Sequence, residues 1–162
     1  MSMDFFRQFD QQITSGNNDR KMIVFSINSI NCALDIMIIK EILNPLEVTP
    51  LPGTSSYIVG IADHRQSAIT VIDIRPLFKT ASKINNHKKW IIALLEHDKM
   101  VALEVDIVKG VEDIKLTDQR ELDAIKHPWS KAVYGTDNGL IFELDLSIIT
   151  DEINNITTTS GE

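Results

Sequence analysis

The sequence predicts an all-β protein made of two similar small units packed together, and three features carry that reading. Apolar runs are short, β-branched and bounded by polar clusters, as in Ile69-Thr70-Val71-Ile72, where extended backbone is favoured over a longer amphipathic helix. Hairpin signals recur, the strongest being Asn138-Gly139 between two apolar segments, where a type I′ turn takes positive φ at both central residues. The order of features in the first half is repeated after Trp90. With 162 residues and 43% hydrophobic content the chain has the material for such cores.

Residues 1–20 read as an N-terminal helix or arm: Phe5, Phe6, Phe9 and Ile13 fall near one helical face, with Asp4 as the cap. That face either packs back on the body or docks a partner. Ser15 to Asp19 is loop-like, and Met22–Ile27 a strand that turns at Asn28-Ser29-Ile30-Asn31 into Cys32–Ile36. Met37, Ile38, Ile39, Ile42 and Leu43 fit either a helical turn or a bent strand. Pro45, Pro50 and Pro52 interrupt regular helix up to Gly53. Tyr57–Ala62 and Ala68–Ile74 form a hairpin with a polar tip, Asp63-His64-Arg65-Gln66-Ser67, placed where loops carry binding residues. Pro76 suits the first turn of a short helix after that strand.

Lys79 to Asn86 is the linker candidate. Beyond it come strands at Trp90–Leu95, Met100–Val105 and from Val108, a polar excursion over 117–131, and a hairpin of Ala132–Thr136 with Leu140–Leu144. Asp145 caps a last turn through Ile149, and residues 154–162 read as a disordered tail. The two halves align: Val24–Ile42 matches Ala93–Val111 in pattern, Gly60 pairs with Gly135, and Asp73-Ile74 with Asp145-Leu146. Asp73 and Asp145 are then equivalent caps at strand exits rather than a catalytic pair.

Several functions are disfavoured by composition. Sixteen basic against twenty-three acidic residues give a net charge of −7, which argues against nucleic acid or an anionic membrane surface as partner. The single cysteine, Cys32, forms no internal disulfide, and the absence of a signal peptide or long apolar span points to a cytoplasmic setting. His64, His87, His97 and His127 have no metal-ligand spacing, and no phosphate-binding glycine loop or nucleophile elbow occurs. The expectation is therefore no catalytic residues, no metal and no cofactor. Glu41 and Arg65 remain as a candidate functional pair that shapes an interface.

From Met22 to Ile149 the chain resembles the CheW-like domain family of bacterial chemosensory adaptors. Leu51-Pro52-Gly53 and Tyr57-Ile58-Val59-Gly60-Ile61 resemble the family's Leu-Pro-Gly and Gly-Leu segments. Arg65 followed by Val71-Ile72-Asp73-Ile74-Arg75 resembles its Arg-Gly-x-x-x-Pro-Val-x-Asp-Leu-Arg. Val105-Asp106-x-Val108-x-Gly110-Val111 and Leu144-Asp145-Leu146 resemble two further motifs. The chain departs from the pattern at Gln66 (glycine in the family), Thr70 (proline) and His64 (usually apolar).

The resemblance implies two SH3-like five-stranded β-barrels side by side, the first over 21–80 and the second over 81–153, whose first strand is free to cross over. It implies a non-catalytic adaptor that couples a chemoreceptor's cytoplasmic tip to the regulatory domain of a histidine kinase. The receptor tip, a helical hairpin, would lie in a groove near Ile39, Glu41, Gly60, Arg65 and Val108. The kinase would contact apolar barrel surface. The competing reading, from a different class, is a sensor module that binds a small ligand in the groove between the units.

Overall fold

A computed structural model describes residues 19–78, 88–95, 98–120 and 129–151. Of the N-terminal helix or arm expected over 1–20, residues 1–18 lie outside the described residues, as does the tail from 154, while Asp19 and Arg20 open the first strand instead. Strand β1 (Asp19–Ile27) turns through Asn28 and Ser29, with φ of 49° and 68°, into β2 (Ile30–Asp35). Two consecutive positive φ values give the tight turn that matches the natural twist of the flanking strands. The ambiguous stretch after Leu34 resolves into both of its alternatives: a 3-10 turn over Ile36–Ile38, capped by the Asp35 side chain, then β3 (Ile39–Leu43).

The second hairpin, β4 (Ile58–His64) and β5 (Ser67–Ile72), turns at Arg65 and Gln66, whose φ values are 49° and 66°. A 3-10 turn over Arg75–Phe78 follows, with Pro76 in it as expected. The second half contributes β6 (Lys89–Leu94), β7 (Met100–Val105), β8 (Ile107–Lys115), a two-residue β9 (Gln119–Arg120), β10 (Ser130–Thr136) and β11 (Gly139–Leu144). At the last hairpin only Gly139 has positive φ, 100°. The turn therefore bends through Asp137-Asn138 and uses glycine as a bulge residue, not as the second corner of a type I′ turn.

The strands form a six-stranded sheet in the order β8-β1-β2-β11-β10-β9 and a five-stranded sheet in the order β3-β6-β7-β5-β4. Division of the chain near residues 79–88, into units 21–80 and 81–153, therefore fails at the level of the sheets. Parallel pairing of β2 with β11 (Cys32 beside Phe142) and of β5 with β7 (Val71 beside Ala102) exchanges the opening hairpins of the two halves. Each sheet holds the first hairpin of one half and the later strands of the other.

The internal repeat is real, and the ladders fix its register. Ala33 lies beside Glu143 as Ala102 lies beside Val71. The Asp73 amide donates to the Tyr57 carbonyl at 2.8 Å, and Asp145 to Trp129 at 2.9 Å. Both aspartates also cap: Asp73 accepts from the Arg75 amide at 3.0 Å and Asp145 from Ile148 at 3.2 Å. The pairing of Gly60 with Gly135 is corrected, because the register shift after Ile58 in β4 corresponds to that after Ser130 in β10. Gly60 is thus equivalent to Ala132.

Among the described residues, alternation along the strands feeds three cores. Ile23, Phe25, Ile27, Cys32 and Leu34 join Ile91, Ala93, Leu103 and Val105 in the largest, between the sheets. The opposite faces gather Met22, Val24, Ala33, Tyr134 and Ile141 in one unit, and Ala62, Ile69, Val71, Trp90 and Ile92 in the other. Strands buried on both faces read as continuous apolar runs. Trp129 packs edge-on against Phe78, with ring centroids 4.5 Å apart. Neither ladder closes among the described residues: the sheets end at β8 and β9, and at β3 and β4. Two closed five-stranded barrels were expected; two curled open sheets, of six and five strands, are observed.

Candidate partner-binding site

The site begins with a bulge. In β3 Ile39 faces Ala93 and Glu41 faces Ile92, so Lys40 is the extra residue. Without it Ile39, Glu41 and Leu43 would share a face. With it Ile39 and Ile42 turn to the core between the sheets, while Leu43 packs in the separate core of the five-stranded unit. Glu41 is carried to Leu43's side. His64, two residues from the buried Ala62, projects to the same side from β4.

β3 and β4 are the two edges of the five-stranded sheet, and these side chains span the gap that its backbone leaves open. His64 Nε2 lies 2.9 Å from Glu41 Oε2, and Arg65 Nη2 donates to Glu41 Oε1 at 3.1 Å. Since a carboxylate only accepts, the imidazole proton sits on Nε2. The Glu41 and His64 side chains are 16% and 14% exposed, whereas Arg65 is 71% exposed. The carboxylate is sheltered and fixed, and the guanidinium stands outward.

The repeat supplies an internal control. In the six-stranded sheet Lys109 is the bulge residue of β8, where Phe25 faces Val108 and Val24 faces Gly110. The counterparts of Glu41, His64 and Arg65 are then Gly110, Thr136 and Asp137. A Cβ added at Gly110 meets nothing within 4 Å. One unit has a charged clasp across its edges and the other has open space, so the clasp is not a requirement of the fold.

Two other charge clusters are structural. Arg75, 5% exposed, is held by Asp73 at 2.9 Å, Glu104 at 3.4 Å and Asp106. Asp106 also accepts from the Asn28 amide at 2.8 Å, so this cluster ties the chain where it crosses between sheets. Burial opposes the Arg75 charge, but the bond to Asp106 and the neighbouring carboxylates outweigh it and raise its pKa. In the other unit Arg20 grips the buried Glu143 through both oxygens, at 2.9 and 2.8 Å, and reaches Asp35 at 2.7 Å. The bond to Glu143 is the largest influence raising the Arg20 pKa. Tyr134 donates to Glu143 at 3.0 Å, and burial followed by the Glu143 charge pushes its phenol upward.

A model of the CheW-like domain matches residues 21–154. The chain belongs to the CheW-like domain family. It is 26% identical over 137 residues to the chemotaxis protein CheW of Thermotoga maritima, covering 82% of this chain and 89% of that one. It is 25% identical over 118 residues to the Helicobacter pylori chemotaxis protein CheW, covering 70% and 72%. The fold matches the crystal structure of the scaffolding protein CheW from Thermoanaerobacter tengcongensis with a TM-score of 0.72, at 24% identity over 78% of this chain and 89% of that one.

Of the residues that resemblance to CheW-like domains singled out, the structure brings Glu41 and Arg65 into direct contact. Ile39 is buried in the central core, 5% exposed. Gly60 is buried too: the 48–49 segment lies across it, with Thr49 and Ile61 exchanging backbone bonds of 2.8 and 2.9 Å. Val108 is the repeat counterpart of Ile39 and lines a cleft of ≈ 360 Å³ with Ile42, Leu43, Asn44, Lys89, Asp106 and Ile107. The polar groups of that cleft are engaged within the protein, Lys89 with Asn44 and Asp106 with Arg75 and Asn28. No convergent set is left to orient a small ligand. His64, read as part of the polar hairpin tip and as a departure from the family pattern, completes the clasp. Among the described residues no cluster of three His, Cys, Asp or Glu side chains could hold a metal, and no helix is long and apolar enough to cross a membrane.

Proposed function

We propose that this chain is a non-catalytic, cytoplasmic adaptor that couples the cytoplasmic tip of a chemoreceptor to the regulatory domain of a histidine kinase. Its membership of the CheW-like domain family over residues 21–154 carries the reading. The relatives bearing the name chemotaxis protein CheW support it across most of the chain. Each curled sheet with its own core acts as an SH3-like barrel, and the receptor's helical hairpin docks at the lip made by Glu41 and Arg65, with Val108 nearby. Ile39 and Gly60 serve that lip from beneath, by fixing β3 and the 48–49 segment. An exposed Arg65 beside a sheltered carboxylate suits recognition of a polar helical surface, because a guanidinium offers several donors in a fixed fork.

The test is a coupled phosphorylation assay with receptor, kinase and this protein, each omitted in turn. Kinase output should rise only when all three are present. Stimulation without receptor, or turnover of a substrate by the purified protein alone, would contradict the proposal.

A further inference from the structure

We propose that His64 is a positioning residue that keeps Arg65 available to a carboxylate on the partner; the inference rests on the adaptor reading above. A glutamate and an arginine that meet on a surface can pair through both carboxylate oxygens and two guanidinium nitrogens. Here they do not. His64 Nε2 lies 2.9 Å from Glu41 Oε2, and Arg65 reaches the carboxylate through a single bond, Nη2 to Oε1 at 3.1 Å. Among the described residues Arg65 makes no other hydrogen bond or ion pair. Its remaining donors meet no acceptor among the described residues, and the side chain is 71% exposed.

The imidazole therefore acts as a wedge. It holds the carboxylate in the sheltered position between the edge strands, turned so that Arg65 meets Oε1 alone and the bidentate closure that would neutralise the arginine internally is not made. The group that fits the vacant donors is a carboxylate, since the fork matches its two oxygens. The partner surface is accordingly a helix that presents Glu or Asp to Arg65. The counterpart unit carries Thr136 and Asp137 in place of His64 and Arg65 and has Gly110 in place of Glu41. It builds the same sheet edge without any of this apparatus, which separates the wedge from the needs of folding.

The probe is a receptor-tip helical-hairpin fragment, used in its natural form and with its groove-facing carboxylates changed to amides. Wild type, His64→Leu and His64→Gln are titrated with both forms by calorimetry. Gln offers a side-chain amide donor in place of Nε2–H, while Leu frees Oε2 for Arg65. His64→Leu should bind the natural fragment about fivefold more weakly, the size expected when one partly desolvated charge contact is lost. His64→Gln should recover most of that loss, and the amide fragment should bind all three alike. In the free proteins the nitrogen-15 signals of the Arg65 guanidinium should change in His64→Leu and not in His64→Gln. Equal affinities of the three proteins for the natural fragment overturn the inference alone. A fragment that wild type fails to bind overturns the adaptor reading and the inference with it.

Discussion

Replacement of Gly60 by alanine separates a scaffold role from a contact role at a position that the family pattern placed in the groove. A Cβ there would lie 2.3 Å from the Thr49 carbonyl oxygen and 2.6 Å from Val48 Cγ1. Backbone cannot swing aside as a long side chain can, so the 48–49 segment must lift. That costs the two bonds between Thr49 and Ile61, roughly 1 kcal/mol each. Val48, which packs on the outer core of its unit, loses part of its burial, and the φ of +155° is unfavourable for a residue with a Cβ; together these add about 1 kcal/mol. A loss of about 3 kcal/mol lowers the melting temperature by roughly 6–12 °C for a protein of this size. Differential scanning calorimetry of Gly60→Ala measures it, beside titration of the still-folded fraction with a receptor fragment. Affinity should be little changed at a temperature where the variant is folded. A variant that melts with wild type and has lost binding would refute the reasoning and return Gly60 to the contact surface.

Arg75→Met should cost about 3 kcal/mol in a denaturant melt, the lower end for an opened buried ion cluster, because Asp73 keeps 25% exposure and Lys88 stays 3.5 Å from Glu104. A loss under about 1 kcal/mol would show that the cluster contributes little. Arg65→Ala should shift stability by no more than about 0.5 kcal/mol while weakening receptor-fragment binding severalfold. A collapse of the denaturation midpoint with binding unchanged would make the residue structural. Because burial and Glu143 raise the Tyr134 pKa above its ordinary 10.0, the folded state holds that proton more tightly than the unfolded one. Its contribution is full below pH 10.0 and is lost as pH rises through the folded value. Tyr134→Phe should therefore lose less stability than wild type between pH 9 and 11, and equal losses would exclude the linkage.

Much of this fold was legible where local chemistry decides it. Pro76 at the start of a short turn, Asp73 and Asp145 as caps, and the approach of Glu41 to Arg65 all follow from residues that act within a few positions or from motif order. Sheet membership was not legible, because β2 is compatible with either neighbour until Cys32 is placed beside Phe142. Short apolar strands carry no mark of their distant partners. The repeat was visible, yet Gly60 was matched to Gly135 on residue type when the bulge after Ile58 fixes Ala132 instead. The pairing of His64 with Glu41 was missed for a related reason: the role of a lone histidine depends on what lies across an edge, here Glu41 on a strand twenty-three positions earlier.

The exchange of opening hairpins also orders events in time. Among the described strands β1 and β2 are synthesised before the rest, and their sheet neighbours β8 and β11 come much later. Until those arrive, Ile23, Phe25 and Ile27 on one face and Met22 and Val24 on the other have no cover in their final sheet. The five-stranded sheet, by contrast, has all its strands once Val105 is made, so it should close first and the six-stranded sheet should follow in a late step that waits for β11. The same interlocking makes the two halves complementary. Expressed as separate chains split in the 79–87 segment, each would lack the hairpin that the other carries, and together they should assemble into the native pair of sheets.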